Sequence, residues 1–197
     1  VDATEPRTAE IYLSTRSGAA WSKGQRADII KDSLTLLAHP AASPDGKYLY
    51  FVADAVGGYG GKDIFRTRLV GASDFGGIEN LGPEINTAGD ELFPYVRDSV
   101  TLYFASDGHP GMGGLDLFKA TQDSTGHWHV TNMRAPINSQ GDDFGITFEG
   151  RRERGFFSSN RGDARGWDHI YSFEYPTFMV KIDGLVSDVD EAPVKDA

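Results

Sequence analysis

Short apolar runs, separated by clusters of glycine, aspartate and asparagine, set the pattern of this chain, and they recur at one spacing. Tyr50-Phe51-Val52-Ala53-Asp54, Tyr103-Phe104-Ala105-Ser106-Asp107 and Phe156-Phe157-Ser158-Ser159-Asn160 stand 53 residues apart. A second motif follows at the same step: Asp63-Ile64-Phe65, Asp116-Leu117-Phe118 and His169-Ile170-Tyr171. Glu10-Ile11-Tyr12 lies one period upstream, so a fourth copy is partly present, with Trp21 near the start of its last strand. Runs of β-branched and aromatic residues bounded by turn formers predict strands. The middle copy predicts four, at 92–97, 101–106, 116–121 and 127–133, joined by a tight turn at Asp98-Ser99 and a Gly-rich run at 108–114. The last copy predicts strands at 144–149, 154–159 and 169–174. The pairs Tyr50-Phe51, Tyr103-Phe104 and Phe156-Phe157 are expected to point to opposite faces, with both members buried between layers. No stretch keeps a 3.6-residue apolar period, so helix is expected to be nearly absent.

Four-stranded units at such a period read as β-propeller blades, which makes the chain an all-β propeller segment of three complete or nearly complete blades plus a partial one. A closed propeller uses about four to eight blades. Fewer than four periods fit into 197 residues, so further blades are expected on the N-terminal side. Residues 1–175 are assigned to the propeller segment and 176–197 to a linker and the first strand of a following domain. Residues 179–186 either complete the last blade or open that domain, and the sequence favours the second.

Charge and composition narrow the chemistry. A net charge of −10 argues against a nucleic-acid surface, which needs an excess of Lys and Arg. The chain has no cysteine, which removes disulfides and thiolate chemistry. The apolar run at 48–52 is far too short to span a membrane. Asp63 and Asp116 recur once per period, and one hard ligand per unit does not make a calcium site, so they read as caps on their own hairpins. His169 takes their place in the last copy. Phe51, Phe104 and Phe157 read as the repeated core positions. The acidic pairs Asp90-Glu91 and Asp142-Asp143 sit at crossovers between units. Paired carboxylates can serve glycoside hydrolysis, but these recur with the repeat and read as turn-capping or solvated groups. The five histidines have no metal-ligand spacing. No catalytic, metal or cofactor site is expected.

In a four-stranded meander the second-to-third hairpins and the crossovers share one end. That end would gather Tyr59, Lys62, Asp90, Glu91, His109, Asp142, Asp143, Arg161, Arg165 and Trp167 into a partner-binding face, loops on a rigid scaffold being where binding concentrates.

Ser43-Pro44-Asp45-Gly46-Lys47 followed by Tyr48-Leu49-Tyr50-Phe51 resembles the hairpin signature of WD40-like (PD40, TolB-type) propeller repeats. Leu81-Gly82-Pro83-Glu84-Ile85-Asn86-Thr87, the run from Gly108-His109-Pro110-Gly111 to Asp116-Leu117-Phe118, and Ser158-Ser159-Asn160-Arg161-Gly162 are similar to the propeller of Bacteroidetes OmpA-family envelope proteins. Val180-Lys181-Ile182-Asp183-Gly184-Leu185-Val186 resembles the opening of the carboxypeptidase-regulatory-like β-sandwich that follows it in that family. The resemblance implies a non-enzymatic scaffold of the type IX secretion system, periplasmic and associated with the outer membrane, binding envelope protein partners. Peptidoglycan would be held only by an OmpA-like domain outside this sequence. A glycan- or peptide-binding propeller of another envelope system is the alternative, and a propeller-type hydrolase a third class.

Overall fold

The computed structural model describes residues 9–31, 35–71 and 73–176. These residues are all-β, and no helix occurs among them. A short N-terminal ribbon holds β1 (Tyr12–Leu13), β2 (Arg16–Ser17), β3 (Ala20–Trp21) and β4 (Gln25–Arg26), with β1 paired to β4 and β2 to β3. Trp21 therefore lies in the outer rungs of this ribbon, two thirds exposed, rather than starting the last strand of a partial unit, which is β4. The next unit is a four-stranded antiparallel meander of β5 (Leu37–Ala42), β6 (Tyr48–Ala53), β7 (Asp63–Leu69) and β8 (Phe75–Asn80). The second repeats it with β9 (Glu91–Val96), β10 (Thr101–Ser106), β11 (Asp116–Gln122) and β12 (Trp128–Asn132). The third has β13 (Asp143–Phe148), β14 (Arg154–Ser159) and β15 (His169–Glu174), and no fourth strand among the described residues. Residues 179–186 lie outside the described residues.

The units stack face to face, and this explains the sequence pattern of their second strands. Tyr50, Val52 and Ile64 pack against Leu102, Phe104, Phe118 and Trp128 of the next sheet, with Ile85 of the crossover between them. Tyr103, Ala105 and Leu117 pack in turn against Ile146, Phe148 and Phe157. The other face of the first sheet, with Leu49, Phe51 and Phe65, is closed by Ile11, Ala27 and Ile29. Covered on both sides, β6 and β10 read as continuous apolar runs rather than as alternation. β14 does alternate, because the described residues cover only one of its faces. Phe157 is buried, but Phe156 is half exposed. The expectation of burial for both members thus holds in two copies and fails in the third.

The first strands carry a feature with no local sequence signal. Each is bulged, between Ala38 and Ala41 opposite β6, and at matching places in β9 and β13. His39, Phe93 and Gly145 adopt φ of 48°, 52° and 65° there. The bulges turn rings toward one another, so that His39 stacks on Phe93 at 3.9 Å and Phe93 on Phe144 at 4.9 Å. The Phe93 amide also donates to His39 Nδ1 at 3.2 Å.

A candidate interaction face at the loop-rich end

The chain reverses at two unlike ends. At one, Ser43-Pro44-Asp45-Gly46 makes a tight turn: the Gly46 amide donates to Ser43 O, the Lys47 amide to Asp45 Oδ1, and Gly46 takes φ 69°. At the other end lie the nine-residue loops after β6, β10 and β14, together with the crossovers into β9 and β13.

Buried carboxylates shape those loops. Asp63, almost wholly buried, accepts the Tyr59 amide at 2.6 Å and the Asn80 side-chain amide at 2.8 Å. Asp116 accepts the Met112 and Gly113 amides on Oδ2, while its Oδ1 is buried without a partner. In the third loop the residue at the Asp position, His169, is exposed. Its place is taken by Asp163, which accepts the Arg165 amide at 2.7 Å, the Arg165 guanidinium and His169 Nε2. Those donors, the Arg165 guanidinium first, hold the Asp163 carboxyl well below the usual carboxylate range. Tyr59, Met112 and Arg165 are spaced by the repeat of 53, and all three are exposed with their backbone amides fixed by a carboxylate. Met112 was no candidate on sequence grounds, although its spacing from Tyr59 was the available signal.

The loops are tied to the crossovers and to each other. Lys62 gives its amide and its ammonium to Asp90, the latter at 2.6 Å. The Asp90 amide donates onward to Asp107 Oδ1 at the head of the next loop. One unit later the Leu115 amide donates to Asp142, whose amide meets Asn160 Oδ1 while Asn160 Nδ2 returns to Asp142. The approach is close enough to need glycine: a Cβ on Gly60 would meet Thr87 O at 2.2 Å, and one on Gly113 would meet Gly141 O at 2.0 Å. Asn86 and Asn138, both buried, pair side-chain amides with the backbone of Ile64 and Leu117. The result is one continuous surface across three units.

Several residues assigned to this face from the sequence lie inside it instead. Glu91 and Asp143 are fully buried. Glu91 accepts the hydroxyls of Thr87 and Ser106 and the Thr87 amide. Asp143 accepts the Ser139 amide and hydroxyl on one oxygen and the Arg161 guanidinium, at 2.5 Å, on the other. Arg161 is accordingly no free anchor. It also donates to the carbonyls of Pro136 and Ile137 and lies over the rings of Phe157 and Tyr171 at 4.9 and 5.2 Å. His109 does the same in the preceding unit, with Nε2 at 2.8 Å from Ile85 O and its ring against Phe104 and Phe118. Tyr59, Met112 and the pair Trp167–Arg165 stay open to solvent, with the guanidinium 4.0 Å from the indole centroid.

Among the described residues no group of three or more His, Asp or Glu is arranged to hold a metal, and no helix is long and apolar enough to cross a membrane. The remaining histidines are engaged singly: His127 with Glu84, and His129 with Asp123.

No family model matches this chain, and no curated protein matches it. Among solved structures, one from a study of two prolyl endopeptidases and the role of their inter-domain dynamics in catalysis and specificity overlays with a TM-score of 0.46 at 12% identity. The overlay covers 84% of this chain and 22% of the other, so this chain spans about a fifth of that protein's length.

Proposed function

We propose that the four-stranded units are blades of a WD40-like β-propeller and that the loop-rich end is a protein-docking face of a non-enzymatic envelope scaffold. The motifs resemble the OmpA-family envelope proteins, PorE of the type IX secretion system most of all. On this reading the scaffold stands in the periplasm at the outer membrane, in a polypeptide that also grips peptidoglycan through a separate domain. The observation that carries the docking role is the row Tyr59, Met112, Arg165. Large side chains occupy one loop position in successive units, exposed, on backbone held by carboxylates. A surface ordered before binding loses little entropy when a partner arrives. The carboxylates near it accept hydrogen bonds from the fold itself, which suits recognition better than acid–base chemistry. The test is recovery of partners from envelope extracts with Tyr59→Ala plus Trp167→Ala, against a control altered at Asp98 and Ser99 on the tight-turn end. The loop variant should lose the partner and the control keep it. Equal recovery by both, each still folded, would refute the assignment.

A further inference from the structure

Among the described residues the third unit ends on an unpaired sheet edge with a socket beside it, and the second unit shows what fits there. In the second unit Trp128, at the start of β12, is buried with Ile85, Phe118 and Ala120. Its amide donates to Glu84 on the crossover, and it pairs with Gln122 of β11. One repeat later the corresponding wall is Pro136, Ile137, Phe157, Arg161, Tyr171 and Phe173, and these line a cavity of about 400 Å³ that reaches Tyr175 and Pro176. The cavity thus takes the position that an indole fills in the preceding unit. Its floor is built, with Arg161 held by two carbonyls and by Asp143 against the Phe157 and Tyr171 rings.

The edge beside the socket is unpaired among the described residues. β15 pairs only with β14, and the Tyr175 amide donates to Glu153 O. In an antiparallel ladder, inward-bonded residues alternate with outward-facing ones. Phe173 and Tyr171 therefore bond inward, while Glu174, Ser172 and Ile170 turn their N–H and C=O outward. In the first two units the residues matching Ile170, which are Ile64 and Leu117, give these groups to Asn86 and Asn138. No described residue does so for Ile170. The sequence after β15 also differs from that of the preceding return. The return into β12 uses Asp123-Ser124-Thr125-Gly126, with Asp123 accepting the Thr125 and His127 amides, whereas Tyr175-Pro176-Thr177-Phe178 follows β15. Pro176 donates nothing and biases Tyr175 toward extended backbone.

We propose that the β15 edge and this socket form a binding site for an extended peptide strand supplied by another polypeptide. The strand adds antiparallel to β15 and seats a large aromatic side chain between Ile137, Tyr171 and Phe173. β12 supplies the pattern to be recognised: an aromatic, a β-branched residue two positions on, and an amide two further, as in Trp128, Val130 and Asn132. Main-chain pairing supplies affinity and the socket supplies selectivity. This site uses none of Tyr59, Met112 or Trp167, so it stands or falls apart from the docking face above.

The probe is a fluorescein-labelled peptide with the sequence of residues 126–133, titrated by anisotropy into the full chain. Saturable binding is expected, weakened at least tenfold by Trp→Ala in the peptide and by Ser172→Pro in the protein, which removes an outward N–H and leaves the β14 ladder intact. Hydrogen exchange should show the Ser172 and Glu174 amides unprotected in the free chain and protected with peptide. Three results overturn the proposal: no binding, binding indifferent to both substitutions, or amides already protected in the free chain. The last would mean that the edge is filled by this chain itself or by a second copy.

Discussion

Arg161→Ala separates the two roles that this arginine could have, surface anchor or internal clasp. Asp143 is fully buried, and the Arg161 side chain retains 23% of its exposure. Truncating Arg161 leaves Asp143 Oδ1 without its partner, while Oδ2 keeps the Ser139 amide and hydroxyl. Breaking a buried pair by removing one member costs about 3–5 kcal/mol, because the other charge stays buried. The partial exposure of Arg161 lets water reach the vacated space, which favours the lower end. The lost contacts to Phe157 and Tyr171 add roughly 0.5–1 kcal/mol. The expected loss is therefore about 3–4 kcal/mol, read as a lower urea midpoint at unchanged slope. Arg161→Lys keeps the charge but cannot span the two carbonyls and the carboxylate together, so it should fall between. Asp143→Asn in the Arg161→Ala background should restore at least ~1 kcal/mol, since the neutral amide removes the unpaired charge. A loss below about 1 kcal/mol for Arg161→Ala, or strict additivity with Asp143→Asn, would show that the clasp does not hold the third unit to its crossover.

Two further outcomes follow from the stacking of the units. Phe104→Ala should cost about 3–5 kcal/mol, as a fully buried aromatic between sheets, whereas Phe156→Ala, half exposed, should leave the urea midpoint nearly unchanged. Comparable losses from the two would mean that the outer face of β14 is covered in solution. For His39, burial first and the Lys62 charge second push the imidazole below its ordinary pKa, and the Phe93 amide donates to an Nδ1 that must be unprotonated. The neutral form is favoured on folding, so this contribution is complete above the unfolded pKa of about 6.5 and is lost as pH falls toward the lower folded value. The urea midpoint should decline between pH 7 and 5 in the parent and decline less in His39→Phe. Identical slopes would remove His39 from the account.

How far the sequence carries depends on whether a position is fixed by its own strand or by its neighbours. β6 and β10 were legible because burial on both faces writes an unbroken apolar run, and the spacing of 53 then located the second and third strands of each unit, whereas the first strands step by 54 and 52. The bulges were not: nothing local asks His39 or Phe93 for a left-handed backbone, and the reason lies in ring stacking between strands some 54 residues apart. Phe156 was misread because the repeat implies a covering layer that none of the described residues supplies. Glu91 and Asp143 cap the turns at Thr87 and Ser139, as the turn-capping reading has it, but their burial was missed because paired acids at a crossover usually face water. Here a signal existed, since Thr87 and Ser139 each precede the buried acid by four residues, and Ser106 ends the strand facing Glu91. Hydroxyls at a fixed distance from an acid are the means of burying it. The copies also sort the remaining polar residues. His109 and Arg161 differ in chemistry and stand one residue out of register in the repeat, yet make the same contact, a donor to the crossover carbonyl over a pair of rings, which marks that contact as structural. Tyr59, Met112 and Arg165 differ in chemistry, and their backbone alone is held in common, by a carboxylate under each. A main chain fixed at one loop position, with the side chain free to vary and exposed, is what the proposed docking role rests on. Between these two rows the distinction is whether the copies share a side-chain contact or only a backbone one, and an internal repeat can supply that comparison from a single sequence once its structure is known.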